Sequence, residues 1–245
     1  MTRRRIVIGV ALALIAAASV GWALFFSLDA EPGATSIAAS AGRECPDPCA
    51  YAFGSEQAPA GLILYPGAGV EPAAYAPLAA EIADDGYFVT IQQAPLGLAI
   101  LDSDMAQVSI DEYADIETWA VGGHSLGGAM AARFASESDR IDGLVLLAAY
   151  PESGLDLADS GLEVMSIYGD RDLLATPDEV LGARPQLPDG TEFVLIEGGN
   201  HAQFGAYGRQ PRDGEAAISA SEQRDEIAGS ISSFLNDLGS SRGDG

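Results

Sequence analysis

The stretch Trp119-Ala120-Val121-Gly122-Gly123-His124-Ser125-Leu126-Gly127-Gly128 decides the fold. Its first residues are apolar, as in a buried strand, and a helix of small residues follows from about Leu126 to Glu137. A chain that turns from strand to helix within one residue needs small flanking residues, here Gly123 and Gly127. The turn holds the serine in a strained conformation with its hydroxyl exposed. We therefore predict Ser125 as a nucleophile and the N–H of Leu126 as a donor to an oxyanion.

Short apolar runs and helical patterns alternate on both sides of this stretch. Continuous apolar strands are typical of parallel sheets that helices cover on both faces. The alternation predicts an α/β fold with a doubly wound, mostly parallel sheet. Predicted strands also cover Leu62–Tyr65, Tyr87–Ile91, Leu144–Leu147, Val164–Ile167 and Phe193–Ile196, and predicted helices cover Ala73–Asp84 and Ser221–Leu238.

A serine hydroxyl needs a base, and the chain has only two histidines. His124 adjoins Ser125 inside the turn, so its side chain must diverge from that of the serine and is expected to pack in the interior. His201 follows the last predicted strand, where ligands bind in open α/β sheets. We predict His201 as the base.

A carboxylate should orient the imidazole and stabilise the imidazolium. The stretch Tyr168-Gly169-Asp170-Arg171-Asp172 ends the strand before the histidine, so two carboxylates are candidates. We favour Asp172 because Asp170 lies directly at the strand exit. The other carboxylate is then expected to pair with Arg171.

The second oxyanion donor is expected in the loop after Leu62–Tyr65, which reads Pro66-Gly67-Ala68-Gly69. Pro66 has no N–H, so the N–H of Ala68 is the candidate, although the loop could also be an ordinary tight turn. Gly67, Phe204 and Tyr207 are candidate pocket residues, and plain packing is an equal alternative for the two aromatic rings.

The chain from about residue 61 to 235 resembles the alpha/beta-hydrolase superfamily, and within it a branch of uncharacterised bacterial hydrolases. The resemblance implies the same triad roles for Ser125, Asp172 and His201, and esterase-like acyl chemistry. Many members begin the oxyanion loop with His-Gly, where this chain has Pro66. The likeness lies in Tyr65-Pro66-Gly67-Ala68, Ala74-Tyr75-Ala76-Pro77-Leu78-Ala79, Gly122 to Gly128, Leu147-Ala148-Ala149-Tyr150-Pro151 and Glu197-Gly198-Gly199-Asn200-His201-Ala202-Gln203-Phe204-Gly205.

The chain begins with Arg3, Arg4 and Arg5 before an uncharged run from Ile6 to Leu28. At ~1.5 Å per residue this run is about 34 Å long as a helix, enough to cross a bilayer core. We interpret residues 1–28 as a transmembrane anchor or a cleaved signal, with the following domain outside the cytoplasm. Residues 29–44 are predicted to be a linker, 45–238 the hydrolase domain and 239–245 a flexible tail.

Beyond residue 28, nine arginines face 36 acidic residues, a net charge of −27. A surface this anionic excludes nucleic-acid binding as a function class. Cys45 and Cys49 alone cannot complete a zinc site, and in an exported domain they are expected to form a disulfide, with reactive thiol chemistry as the alternative. The proposed chemistry requires neither a metal nor an organic cofactor.

The sequence thus predicts a serine hydrolase that cleaves a small-molecule ester or related acyl bond. Acyl transfer to envelope lipids and a non-catalytic binding domain of the same fold remain alternatives. Only thirteen residues, Pro151 to Glu163, lie where related proteins insert lids, so no separate cap domain is expected. The oligomeric state is left open.

Overall fold

The computed structural model describes residues 27–243. They fold around one seven-stranded sheet with the strand order β1-β3-β2-β4-β5-β6-β7. Strands β2 to β7 are parallel, and β1 is an antiparallel edge strand that pairs with β3. The predicted doubly wound, mostly parallel sheet is confirmed. The strands are β1 Cys49–Phe53, β2 Gly61–Tyr65, β3 Phe88–Gln92, β4 Trp119–His124, β5 Gly143–Leu147, β6 Glu163–Gly169 and β7 Glu192–Ile196.

Helices cover both faces of the sheet. Helices α1, α2 and α6 pack together on one face, and α4 packs on the other face against β4 and β5. The helices are α1 Pro32–Ala41, α2 Ala76–Asp84, α3 Ala106–Glu112, α4 Leu126–Glu137, α5 Pro177–Gly182 and α6 Ala220–Gly243, with 3₁₀ turns at Pro72–Tyr75, Pro95–Gly97, Ala99–Leu101, Arg184–Gln186 and Ala202–Phe204.

The position of β2 in the middle of the domain explains why its sequence is apolar throughout. Successive side chains of a strand point to opposite faces, so a strand covered on both sides buries every residue. Leu62 and Leu64 enter the core under α2 and α6, whereas Ile63 and Tyr65 enter the core under α4. None of these four side chains has measurable exposure. The carboxyl ends of β2, β4, β6 and β7 therefore meet at one edge of a rigid sheet.

The predicted Cys45–Cys49 disulfide is present, with the two Cα atoms 5.5 Å apart. The loop that it closes includes the cis peptide bond between Asp47 and Pro48. Directly after it, the chain enters β1, which was not predicted. Between β5 and β6 the described chain forms neither helix nor strand, in agreement with the absence of a cap domain.

Most of the segment predicted as a linker, residues 29–44, is helical in the structure. Residues Pro32–Ala41 form helix α1, which buries Ala34 and Ala38 against the domain. These two alanines are four residues apart and so lie on one face of the helix. Their small side chains allow close packing but give a weak apolar pattern, which is why the segment resembled a linker.

The chain ends also differ from the prediction. Helix α6 runs from Ala220 to Gly243, so it continues through most of the predicted tail. The anchor or signal predicted over residues 1–28 lies outside the described residues except for Ser27 and Leu28. Within residues 27–243, no helix has the length and apolar character needed to span a membrane.

Candidate active site

Ser125 occupies the sharp turn between β4 and α4 with φ 55° and ψ −124°. A positive φ is unfavourable for a residue with a side chain, so the surrounding packing must hold it. Close backbone approach enforces the turn: a Cβ on Gly123 would lie 2.5 Å from the carbonyl carbon of Gly127, and a Cβ on Gly127 would collide with the carbonyl oxygen of Tyr65. The predicted strained geometry is present, and Ser125 is only half-buried.

His201 and Asp172 form a buried pair beside this turn. The Nδ1 atom of His201 lies 2.8 Å from Oδ2 of Asp172, and both side chains are almost completely buried. The His201 ring centroid lies 4.5 Å from that of His124, the residue before Ser125. A carboxylate on Nδ1 directs the other nitrogen of the ring, Nε2, to act as the base.

The two candidate carboxylates have different partners. The second oxygen of Asp172 accepts 2.8 Å hydrogen bonds from the backbone N–H groups of Leu174 and Ala175, which fix the carboxylate towards His201. Asp170 instead accepts a hydrogen bond from the N–H of Gly198 and lies 3.8 Å from Arg171. The structure therefore pairs the histidine with Asp172, while the catalytic roles of both residues remain predictions.

Two polar residues that the sequence interpretation missed hold the histidine loop. Asp213 accepts a hydrogen bond from the N–H of Ala202, directly after His201. Gln223, on α6 and fully buried, accepts a hydrogen bond from the N–H of Asn200 and donates one to its carbonyl oxygen. Both are more than ten residues away along the chain, so no local pattern could indicate these contacts.

A buried hydrogen-bond chain connects the oxyanion loop, residues 66–69, to the serine turn. The N–H of Gly67 donates to the Tyr75 hydroxyl, which lies 2.9 Å from Nδ1 of His124. Since the oxygen of the Tyr75 hydroxyl accepts a hydrogen bond from Gly67, the hydroxyl donates its own proton to Nδ1 of His124. That arrangement leaves His124 neutral, with its proton on Nε2. The predicted interior role of His124 is therefore confirmed.

His124 stays uncharged in its buried position. Burial holds its pKa well below the ordinary value, and the nearby His201 lowers that pKa further. Burial also raises the pKa of the Tyr75 hydroxyl, so this group stays protonated as a donor. Both rings thus act as neutral positioning groups, and the oxyanion loop is fixed relative to the turn that carries Ser125.

We expect Tyr75→Phe to lower kcat on a water-soluble ester with little change in KM. The change leaves the Gly67 N–H and His124 Nδ1 without their partner and allows the oxyanion loop to shift. We expect a loss of about tenfold or more, because one oxyanion donor contributes on the order of 10²–10³. Steady-state kinetics measure it.

Tyr65→Phe is the matched control. It removes another buried hydroxyl, which donates to the carbonyl oxygen of Ser103 and accepts from the N–H of Ala106. Both variants should lose comparable stability, on the order of 1–3 kcal/mol, because each leaves buried groups unpaired. Equal losses of kcat in the two variants would contradict a positioning role for Tyr75.

The two predicted oxyanion donors, Ala68 and Leu126, have backbone N–H groups that are free with respect to residues 27–243. No acceptor within the described part of the chain takes either of them. By contrast, the N–H groups of Gly67 and Gly69 are bonded to Tyr75 and to the carbonyl oxygen of Gly97. In its loop, Ala68 is therefore the residue whose N–H remains available to a substrate oxygen.

The candidate pocket residues lie in the core. Phe204 stacks on His124 at 5.7 Å between ring centroids, and Tyr207 lies 6.3 Å from the same ring. Gly67 is buried beside it, where an added Cβ would lie 2.8 Å from Nδ1. The structure thus gives these residues packing roles around His124, and substrate contact by any of them remains a prediction.

A strained serine turn at the carboxyl edge of a parallel sheet, next to a buried His–Asp pair, defines a class of hydrolytic α/β protein. The model of the alpha/beta hydrolase family matches residues 61–225 of the chain. The chain therefore belongs to the alpha/beta hydrolase family. No curated protein sequence matches it.

Solved structures of hydrolases share the fold. The esterase domain of a Rhodothermus marinus protein is 11% identical, with a TM-score of 0.57 over 75% of this chain and 89% of that chain. The monoacylglycerol lipase of Paleococcus ferrophilus is 17% identical, with a TM-score of 0.54 over 74% of this chain and 97% of that chain. At these identities the likeness shows a common fold.

Proposed function

We propose that the protein is a serine hydrolase that cleaves an ester or related acyl bond through an acyl-enzyme. One observation carries the proposal: the His201–Asp172 pair, 2.8 Å apart and buried, beside the strained turn at Ser125. A histidine with a purely structural role needs neither a buried carboxylate partner nor a neighbouring serine in a strained conformation. The names of the two similar structures, an esterase and a lipase, further favour an ester.

Each group has a defined step in the reaction. The Ser125 hydroxyl attacks the carbonyl carbon while Nε2 of His201 takes its proton, and Asp172 stabilises the imidazolium. The free N–H groups of Leu126 and Ala68 bind the oxyanion. The imidazolium then protonates the leaving alcohol, which gives the acyl-enzyme. Water, activated by the same histidine, attacks the acyl carbon and releases the acid and the serine.

A fluorophosphonate probe and a panel of esters test this proposal on the full chain. We expect the probe to label Ser125, as located by peptide mapping, and ester hydrolysis to disappear in proportion to labelling. Added alcohol distinguishes hydrolysis from transfer, since a transferase would form a new ester from it. Folded protein that neither labels at Ser125 nor cleaves any ester of the panel contradicts the proposal.

We also propose that the domain lies outside the cytoplasm. In this proposal residues 1–28 either anchor it in the membrane or are cleaved as a signal segment. The Cys45–Cys49 disulfide supports this location because such bonds persist in oxidising compartments. The three arginines before the uncharged run support the same orientation.

A further inference from the structure

Three large aliphatic side chains are exposed on one loop beside the candidate site. Residues 93–101, here called the aliphatic loop, follow β3 and read Gln-Ala-Pro-Leu-Gly-Leu-Ala-Ile-Leu. Leu96, Ile100 and Leu101 in this loop are each more than half exposed. The loop has no charged residue, although the chain has 36 acidic ones. Three large aliphatic side chains exposed within six residues of a strongly charged chain indicate an interaction surface.

The aliphatic loop has a fixed conformation. Leu96 has a φ of 54°, a backbone conformation that a branched residue keeps only where its surroundings enforce it. Ala99 is buried in the core under α4. The Tyr65 hydroxyl holds the segment directly after the loop through hydrogen bonds with Ser103 and Ala106. A rigid backbone therefore holds the exposed side chains of Leu96, Ile100 and Leu101 in place.

The loop borders the oxyanion loop and the helix after Ser125. The N–H of Gly69 donates a 2.8 Å hydrogen bond to the carbonyl oxygen of Gly97. The 3₁₀ turn Ala99–Leu101 packs against α4, the helix that begins directly after the serine. Whatever covers the aliphatic loop is therefore next to the oxyanion loop of the candidate active site.

The N-terminal part of the chain reaches the domain at the same place. The N–H of Leu28 donates to the carbonyl oxygen of Gly69, and its carbonyl oxygen accepts from the N–H of Glu71. Leu28, Gly69 and Leu96 line one cleft of about 370 Å³. The preceding uncharged run, Ile6 to Leu28, has the length that crosses a bilayer core, about 34 Å as a helix. A run that enters a lipid layer would leave it beside the aliphatic loop.

The negative charge of the domain limits the kinds of surface to which the aliphatic loop can bind. With a net charge of −27 beyond residue 28, the domain is repelled by anionic lipid headgroups and by a second copy of itself. A layer of neutral or zwitterionic lipid has no such repulsion and accepts exposed leucine and isoleucine side chains.

We propose that the aliphatic loop rests on a neutral or zwitterionic lipid layer, so that the site takes its ester from that layer. The proposal rests on the proposed ester hydrolysis and adds the source of the substrate. The acyl chain moves from the layer along Leu96, Ile100 and Leu101, and its carbonyl group reaches Ser125 without crossing water.

The test uses the full chain reconstituted in phosphatidylcholine vesicles and two substrates, a short water-soluble ester and a long-chain ester dispersed in the vesicles. The variant Leu96→Ser/Ile100→Ser/Leu101→Ser should cleave the dispersed ester about tenfold more slowly or worse, because it loses most of the apolar area facing the layer. It should cleave the soluble ester at the wild-type rate. Leu195→Ser, an exposed leucine on β7, is the control and should change neither rate.

Replacing part of the phosphatidylcholine with phosphatidylglycerol should lower the rate on the dispersed ester alone. Unchanged cleavage of the dispersed ester by the triple variant overturns the proposal. Equal losses on both esters also overturn it, because they indicate a structural role for the loop. A change in the oligomeric state of the triple variant in detergent overturns the proposal too, because it indicates that the loop binds a second copy of the chain. Wild-type protein that cleaves neither ester contradicts the proposed function itself.

Discussion

The Ser125→Ala variant is expected to lose about 10⁴-fold or more of kcat on any ester that the wild-type protein cleaves. The substitution removes the attacking oxygen, and the remaining groups can only position water. The effect should be in kcat, since the oxyanion donors and the loops around them stay in place. Steady-state kinetics and loss of fluorophosphonate labelling measure the effect.

A serine control separates this loss from a general effect on the sheet. Ser166 lies buried on β6, and no residue in the described part of the chain hydrogen-bonds to its hydroxyl. Ser166→Ala should therefore keep nearly full activity and labelling. The Ser125→Ala protein should also unfold at about the wild-type temperature or higher, because Ser125 is only half-buried and its side chain makes no hydrogen bond that caps α4. Retained turnover in Ser125→Ala would show that another group attacks the ester.

The sequence predicted the elements whose burial leaves a continuous apolar pattern. Strands β2 and β5 are completely buried and were found to within a residue, because a strand covered on both faces has no polar positions. The serine turn was equally clear, since close packing around Ser125 permits only glycine at positions 123 and 127. Both signals are local in the chain.

Features that depend on distant contacts were missed or misjudged. Helix α1 resembled a linker because its buried face consists of two alanines, and Leu28 and Glu31 before it bond to residues far along the chain. The Tyr75 hydroxyl meets His124 across 49 residues, a contact that no local spacing indicates. The choice between Asp170 and Asp172 rested on position alone, and the hydrogen bond to His201 now distinguishes them.

Asp172→Asn is expected to lower kcat by about 10⁴-fold, although the side chain changes by a single group. One oxygen of Asp172 accepts from the N–H groups of Leu174 and Ala175, so the amide oxygen of asparagine should take that position. The amide NH₂ group then faces Nδ1 of His201, which must accept from it. The ring proton moves to Nε2, and the histidine can no longer take the proton of Ser125.

Asp170→Asn is the matched control, because Asp170 accepts from the N–H of Gly198 and an amide oxygen can do the same. Its partner Arg171 is more than half exposed, so the loss of this ion pair should cost less than 1 kcal/mol. We expect kcat of this variant within a few-fold of the wild-type value. Near-normal kcat in Asp172→Asn together with a large loss in Asp170→Asn would transfer the catalytic role to Asp170. Since Asp172 is buried, thermal unfolding must confirm that its variant is folded before the rates are compared.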